Sequence, residues 1–404
     1  MSTTNKAKTS FFNAFGKIKW KHYGALAVIA AITVIFGSMS ATGNLTMKYQ
    51  VMLEKTAIAM MLAVSLSLVV GFLGELSLGH AGFMCVGMYI GGKLAAVMVN
   101  NAGFGANDIF VFFLAVAAGG LSAAALGFIV GLPALRLKGD YLAIVTLAFC
   151  QIVKTVFMNS STESFGGAGG MWTPRMDRKY MFVLEMILLL ITVFAVQNII
   201  RSKHGRAITA IRDSEIAAKA TGVEVTKYKL LVFVVSSFFA GIAGVLYSYS
   251  NSGSVNGVKF DYNYSIEILV MVVLGGMGSI NGSLISAAFI TYINILLNGK
   301  LTGNLAVLQN IIYAVVLILF VIYGNAPALK NLRERTNVRR LFEKLKKPGK
   351  KDRAAEKDDE AAWARVPTKI RMDELLSTDL SVRSNRPDKV MPDDDEKSGR
   401  KENE

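Results

Sequence analysis

The chain has 404 residues, a formal net charge of +15 and a mean hydropathy of +0.43. This hydropathy is above that of ordinary soluble globular domains, so a purely water-soluble protein is excluded. The charge does not predict a nucleic-acid partner, because the excess lies in the apolar part of the chain: 23 Lys and Arg against 12 Asp and Glu up to Tyr323, and 21 against 17 in 324–404. There it is typical of loops that orient a membrane protein.

Apolar runs long enough to cross a bilayer recur along the chain. A bilayer core about 30 Å thick needs about 20 mostly apolar residues in a helix. The sequence therefore predicts an all-α fold, a polytopic transmembrane helical bundle of about ten spans. The eighth is too short to cross unaided and is predicted to be a broken helix completed by the glycine-rich residues after it. The predicted spans are Tyr23–Met39, Thr56–Leu73, Gly82–Val99, Ile109–Leu132, Tyr141–Met158, Tyr180–Ile200, Leu230–Ser250, Tyr264–Leu274, Ile280–Leu297 and Leu305–Tyr323.

Lys and Arg concentrate in alternate loops, which predicts the orientation. They precede the first span, follow the fourth and fill the loop between the sixth and seventh, so these loops are predicted to be cytoplasmic. The predicted outer loop with Arg175, Arg178 and Lys179 is an exception. Residues 1–22 are then a basic cytoplasmic N-terminus, 23–323 the transmembrane domain, and 324–404 a cytoplasmic, largely disordered charged tail. A cleaved signal peptide is the alternative for the first span.

The first segment that indicates mechanism is GFLGELSLGHAGF, Gly71–Phe83. Its glycines interrupt an apolar pattern and bring in Glu75, Ser77 and His80. Glycine allows positive φ and close backbone approach, so a helix break is one interpretation and a bare loop is the other. Ionisable groups at membrane depth are costly unless they face protein or water, so the functional hypothesis places these three residues along a translocation path.

A second glycine-broken segment, Val273–Ser283, follows an apolar helix that carries Glu267. Paired interruptions are typical of internal repeats with the path between two pseudosymmetric halves, although the two halves show no residue-by-residue identity beyond their shared composition. Glu267 either faces that path or forms a hydrogen bond across a helix interface. Together with Glu267, the predicted path residues of this segment are Gly275, Gly276 and Gly278.

The polar loop Arg201–Lys229 is longer than a simple connection requires. Its alanines and isoleucines favour short amphipathic helices, and Gly222 is well placed to end one. Docking of a soluble partner explains both properties. A self-contained surface loop is the alternative.

Signatures of enzymes, metal sites and cofactors are lacking in the sequence. Gly87–Lys93 matches a phosphate-loop pattern, but Leu94 replaces the Mg²⁺-binding residue and the match lies inside an apolar run, so it is interpreted as chance. Cys85 and Cys150 are predicted to be small buried apolar residues. The sequence therefore predicts no catalytic residues, no metal ligands and no cofactor.

Four stretches carry a family resemblance: GFLGELSLGHAGFMCVGMY, LRLKGDYLAIVTLAF, the region from Ser202 to Tyr247, and SIEILVMVVLGGMGSINGS. Together they resemble the LivM-like permease family of bacterial branched-chain amino acid ABC importers. The resemblance implies a bundle of about ten helices that pairs with a homologous second permease, two ABC ATPase subunits and an extracytoplasmic substrate-binding protein. It places the chain in the bacterial inner membrane, with both termini in the cytoplasm and ATP hydrolysis in partner subunits.

In ABC importers a cytoplasmic loop with an EAAxxxG pattern contacts the ATPase. Here Ala217, Ala218 and Gly222 fit AAxxxG, whereas Glu215 is displaced by one position and Ile216 takes the usual place of Glu. The resemblance thus implies a coupling loop with Arg212, Glu215, Ala217, Ala218 and Gly222.

The function that the resemblance implies is import of leucine, isoleucine and valine by alternating access. The stretch Ser164–Trp172 departs from the family's TGGxxG-like segment, so a urea or short-amide permease is an alternative. Two other classes stay open: an ion-coupled secondary transporter that uses Glu75, His80 or Glu267 as ion sites, and a structural scaffold.

Overall fold

The computed structural model describes residues 24–41, 46–101, 103–105, 107–137, 139–251 and 253–300, and positions 315 and 318. These residues all belong to the first of two compact units, Met1–Asn325 and Ala326–Glu404. The predicted N-terminal segment 1–22 and the tail 324–404 lie outside the described residues. So does the tenth predicted span, Leu305–Tyr323, apart from those two positions.

Helices dominate the described chain. The longer helices are α1 Gly24–Ala41, α2 Met47–Ser67, α3 His80–Asn101, α4 Ile109–Ala134, α5 Asp140–Met158, α7 Arg178–Arg201, α10 Val225–Ser250, α11 Tyr262–Gly275 and α12 Ile280–Lys300. The shorter helices are α6 Thr162–Phe165, α8 Lys203–Asp213 and α9 Glu215–Ala220. A π-helical turn, Leu68–Leu73, continues α2, and 3-10 turns cover Gly167–Gly169 and Gly257–Lys259.

Seven helical segments within the described residues are long and apolar enough to cross a membrane. They are Met47–Leu73, His80–Asn101, Ile109–Ala134, Asp140–Met158, Tyr180–Arg201, Val225–Ser250 and Ile280–Leu297. Two further apolar segments, Ile29–Ser40 in α1 and Tyr262–Gly275, are shorter. The chain is thus a multi-pass α-helical membrane protein, and the predicted shortness of the eighth span is confirmed.

Helix α2 begins nine residues before the predicted start of its span, at Met47 instead of Thr56. Glu54 lies in this extension and is fully buried, and it accepts a hydrogen bond of 2.9 Å from the Ser250 hydroxyl at the end of α10. A carboxylate at this depth is stabilised by such a partner. The polar residues that ended the apolar pattern therefore continue the helix.

The core is formed by α2, α3, α4 and α10, whose backbones approach closely at small residues. A side chain at Gly87 of α3 would overlap the carbonyl oxygen of Gly241 in α10, and one at Gly244 would overlap that of Met84. Small residues allow such close packing between membrane helices. Gly87 in the phosphate-loop match is therefore a packing residue of a buried helix. Cys85 and Cys150 are buried free thiols, as predicted.

The all-α prediction misses one feature, a two-stranded antiparallel sheet. Strand β1, Met171–Thr173, pairs with β2, Gly253–Val255, so the loop before α7 is joined to the loop after α10. At three residues each, the strands are too short for a sequence pattern to reveal them. The sheet ties together two loops that were predicted to be on the outer side.

Asp261 links α11 to α5 close to this sheet. It accepts hydrogen bonds from the backbone of Tyr262 at 2.9 Å and from the Gln151 amide at 2.6 Å, and Lys154 Nζ lies 3.4 Å away. Partial burial acts to raise the pKa of Asp261, but these hydrogen bonds and the Lys154 charge outweigh it and hold the pKa below its ordinary value.

Candidate functional site

The first glycine segment is a helix break between α2 and α3. The π-helical turn ends at Leu73, Gly74 adopts a left-handed backbone with φ +81°, and α3 begins at His80. A Cβ at Gly74 would lie 2.6 Å from Arg212 Cγ, so glycine is required for both backbone conformation and space. The predicted break is confirmed. Whether its residues line a path stays a prediction.

The second glycine segment is a tight turn between α11 and α12. Gly276 and Gly278 both have positive φ, and the backbones of Gly275 and Gly282 touch, leaving no room for a side chain at either position. The turn also reaches the first break, since a Cβ at Gly71 would lie 2.7 Å from the Gly278 nitrogen. The two interruptions, far apart in sequence, therefore meet in space.

The polar loop between α7 and α10 contacts both breaks through Arg212. The Arg212 guanidinium donates a hydrogen bond of 3.2 Å from Nη1 to the Gly71 carbonyl oxygen, and the same nitrogen faces Gly278. Arg212 also pairs with Asp213 at 3.0 Å. The Gly71 carbonyl is one of those that a helix end leaves without an intrahelical donor, which explains why a cationic side chain binds there.

Lys229 makes a second connection between the loop and the first break. Its Nζ lies 2.5 Å from Glu75 Oε1 and 3.1 Å from Glu215 Oε2, and the residue is 4% exposed. One buried ammonium group thus joins α10, the first break and α9. Sequence analysis placed Lys229 only among the loop cations. Its partners lie 14 and more than 100 positions away in sequence, so no local pattern indicates the pairing.

These contacts define one site, which we call the junction. Its members are Gly71, Gly74, Glu75, Arg212, Glu215, Lys229 and Gly278. It unites residues that the sequence assigned separately to a path and to a coupling loop. Of the predicted path residues, Glu75 and Gly278 belong to it. Of the predicted coupling residues, Arg212 and Glu215 do.

Ser77 and His80 take no part in the junction contacts. Both are buried, and His80 Nε2 is 2.7 Å from the Ser65 hydroxyl of α2. The backbone N–H of Leu78 bonds to Thr146 of α5, and that of Ala81 bonds to Ser265 of α11. These hydrogen bonds satisfy polar groups at the break and fix the start of α3 against three helices.

Glu267 makes a contact between helices. The Asn294 amide of α12 donates a hydrogen bond of 3.0 Å to Glu267 Oε1 on α11. Of the two interpretations offered by the sequence, the hydrogen bond across a helix interface is observed. Within the described residues, no group of three or more His, Cys, Asp or Glu could hold a metal ion.

The remaining coupling residues form a helical corner at the same end. Ser202 and Ser214 cap α8 and α9 through their side-chain oxygens, and Gly222 ends α9 with φ +85°. Ala218 is buried, and Ile216 is 82% exposed. An apolar side chain this exposed at a helix corner is the type of residue that anchors a partner, and sequence analysis noted it only as a departure from the motif.

Beside this corner lies an open cavity of about 390 Å³, lined by His204, Gly222, Tyr228 and Leu231 among others. The cavity and Ile216 give this end of the bundle both a depression and a projecting apolar side chain. A multi-pass helical bundle whose two helix breaks meet a structured polar loop is the architecture typical of membrane transport proteins.

Comparison with known proteins specifies the family. Residues 49–321 match the family described as "Branched-chain amino acid transport system / permease component", and the chain belongs to that family. The members of this family are permease components, and the chain, with seven membrane-length apolar helical segments among its described residues, is a multi-pass inner-membrane protein. No solved structure matches the chain.

Among known relatives, the high-affinity branched-chain amino acid permease LivM is 33% identical over 256 residues, both in Salmonella typhimurium and in Escherichia coli K12. This alignment covers 55% of the chain and 57% of LivM, so the chain spans just over half the length of these relatives. The ribose import permease RbsC of Escherichia coli K12 is 25% identical over 338 residues, covering 80% of the chain and 99% of RbsC.

Proposed function

We propose that the chain is the membrane-spanning permease subunit of an ATP-driven ABC importer that translocates branched-chain amino acids by alternating access. The observation that carries this proposal is the junction, in which one polar loop contacts both helix breaks. Identity of 33% to LivM supports the substrate class.

In this proposal the loop from α7 to α10 receives the motion of a separate ATPase. Arg212 is connected to the first break by its hydrogen bond to the Gly71 carbonyl oxygen. Glu215 is connected to Glu75 because both carboxylates pair with Lys229. Displacement of α8 and α9 is thereby transmitted to both breaks at once. The ATPase can shift the equilibrium between the outward-open and inward-open states by no more than the difference in its binding free energy for the two states.

The assembly that fits this mechanism contains the partners implied by the family resemblance: a second homologous permease, two ABC ATPase subunits and an extracytoplasmic substrate-binding protein. The loop and both chain termini are cytoplasmic, and ten spans in two pseudosymmetric halves complete the bundle. Cysteine labelling of an Ala217→Cys variant in sealed cells and in inverted vesicles tests the orientation, because Ala217 is exposed on α9. Labelling of sealed cells by an impermeant reagent would refute it.

The central experiment is co-expression of the tagged chain with its genomic neighbours, followed by copurification and uptake. We expect a nucleotide-binding subunit to copurify, and uptake of radiolabelled leucine to stop when ATP is depleted. Continued uptake driven by a proton gradient alone would replace the ABC mechanism with the ion-coupled one. Against the ion-coupled mechanism, Glu75, His80 and Glu267 all make polar contacts within the bundle, to Lys229, Ser65 and Asn294.

The docking surface is tested separately with Ile216→Glu. Because Ile216 is exposed, the variant should keep the fold, whereas a charge in an apolar partner groove should abolish ATPase copurification. Val258→Glu, at an exposed apolar position in the loop after α10 and outside the polar loop Arg201–Lys229, is the matched control. Ala218 is unsuitable for this purpose, since it is buried and a large side chain there would disturb α9.

A second candidate substrate is a sugar, favoured by the extended alignment with RbsC, which is named as a ribose import permease. Uptake assays with leucine, ribose and urea on the same reconstituted complex distinguish three substrate classes in one experiment. The proposal predicts saturable leucine uptake that excess valine inhibits and excess ribose or urea does not.

A further inference from the structure

A small polar cavity lies between the ends of three membrane-crossing helices. It has a volume of about 240 Å³ and is lined by Phe72 in the π-helical turn that continues α2, by Ile200, Arg201 and Gln197 at the end of α7, and by Ser279 and Asn281 at the start of α12. Since these spans all end here, the cavity lies at the depth where lipid head groups meet the bundle.

Gln197 is the first indication that a ligand belongs in this cavity. The residue is 2% exposed, and its Oε1 has no hydrogen-bond partner among the described residues. Buried amide oxygens are nearly always bonded, so an acceptor that lines a polar cavity without a partner calls for a donor from outside the chain. A hydroxyl group meets this requirement.

The start of α12 is the second indication, and it calls for the opposite chemistry. The Ser279 hydroxyl accepts a hydrogen bond from the Gly282 N–H, which leaves the N–H groups of Ile280 and Asn281 in the first turn without an intrahelical acceptor. Helix N-termini of this kind bind phosphate oxygens, and Arg201, which also lines the cavity, adds a positive charge.

A ligand that fits both walls combines a phosphate with a nearby hydroxyl. The volume of the cavity is below the roughly 300–1,000 Å³ typical of sites for drug-sized molecules, which favours a small head group over a nucleotide. Phe72 and Ile200 supply apolar surface for the first carbons of an attached chain. Basic pockets between membrane helices are established places for anionic lipids.

We propose that this cavity binds the head group of an anionic, hydroxyl-bearing phospholipid of the phosphatidylglycerol type. The phosphate accepts hydrogen bonds from Arg201 and from the first turn of α12, and a glycerol hydroxyl donates to Gln197 Oε1. The inference goes beyond transport and does not depend on the substrate. Because Gly278 also borders the cavity, the bound lipid touches the turn that Arg212 contacts in the junction.

The test is native mass spectrometry of the purified full chain, titrated with lipids of identical acyl chains. Phosphatidylglycerol should bind about tenfold more tightly than phosphatidylcholine, because phosphatidylcholine has the same phosphate but no hydroxyl for Gln197 and places a choline cation near Arg201. Phosphatidic acid, which keeps the phosphate but lacks the glycerol hydroxyls, should bind more weakly than phosphatidylglycerol. In Gln197→Leu this last difference should vanish, because the hydroxyl has lost its acceptor.

Arg201→Gln should weaken binding of both anionic lipids about tenfold, whereas Arg206→Gln, a matched change at an exposed arginine of α8, should not. Equal losses in the two arginine variants would overturn the site, since they would reflect net charge alone. The wild-type comparisons do not depend on how the variants fold: failure to prefer phosphatidylglycerol over phosphatidylcholine overturns the proposal. Competition at equal concentration by glycerol phosphate or inorganic phosphate would overturn its assignment to a lipid.

Discussion

Replacing Lys229 with methionine removes the ammonium group that lies 2.5 Å from Glu75 and 3.1 Å from Glu215. The side chain of Glu75 is 13% exposed, so water restores little of the lost stabilisation, whereas that of Glu215 is 37% exposed and regains hydration. Removal of one partner from a buried ion pair destabilises a protein by about 3–5 kcal/mol. Because Glu75 keeps some exposure, we expect the lower end, about 3 kcal/mol.

The assay is equilibrium unfolding in mixed detergent micelles, and Lys227→Met is the matched control. Lys227 lies two positions away and pairs with Glu224 on the surface, where the two side chains are 76% and 63% exposed. Its replacement should change the free energy of unfolding by no more than about 0.5 kcal/mol. In the reconstituted importer, Lys229→Met should lower leucine uptake per ATP hydrolysed, because α9 and the first break are no longer linked.

A double variant decides whether the ion pair itself is responsible. Glu75→Gln removes the stranded charge, so Glu75→Gln combined with Lys229→Met should be at least about 1 kcal/mol more stable than the sum of the single effects predicts. Strict additivity of the two single effects would refute the reasoning. Unfolding of Lys229→Met at the wild-type detergent concentration would refute it as well.

Three further variants test other parts of the bundle. Gly74→Ala should destabilise the protein more than Gly222→Ala. Both positions have left-handed backbones, which cost a non-glycine residue about 1–2 kcal/mol, but only a Cβ at Gly74 would also meet Arg212. Equal unfolding midpoints of the two variants would contradict this contact. His80→Ala should cost about 1–3 kcal/mol by removing the buried bond to the Ser65 hydroxyl, which then keeps only its bond to the Leu62 carbonyl oxygen. An unchanged thermal midpoint would argue against the bond to His80. The folded protein lowers the pKa of Asp261, so the stability that Asp261 contributes is present above pH 3.8 and is lost as the pH falls through the pKa of the folded state. In acid titration, Asp261→Asn should therefore lose stability less steeply than the wild type. An equally steep loss in the two proteins would exclude this role.

The sequence predicted the helices well where apolar runs were continuous and less well where a polar residue had a distant partner. The end of the predicted span at Leu73, where the π-helical turn after α2 ends, followed from the apolar run and the glycines that interrupt it. The start of α2 at Met47 did not, because Glu54 is stabilised by Ser250, 196 positions away. Hydropathy depends on single residues and their neighbours, whereas burial of a carboxylate depends on tertiary contacts.

The candidate site shows the same division. The residue types that form it were visible in the sequence, since glycines in apolar helices and a long basic loop are both unusual. Their convergence was not visible, because it rests on Arg212 reaching a carbonyl 141 positions earlier and on Lys229 bridging two acids. The motif position of Ile216 drew attention to a missing glutamate, while its exposure gives it a physical role as an anchor.

The contact between the Gly275 and Gly282 backbones has a mechanical consequence. Because the two backbones are in direct contact, α11 and α12 are packed tightly at their shared turn, and we expect a displacement of this turn to move both helices. Helix α12 has 21 residues and is about 30 Å long at the usual rise per residue. A tilt of about 10° at the turn would therefore displace its far end by about 5 Å. A small push near Gly278 is thus geometrically amplified across most of the bilayer thickness.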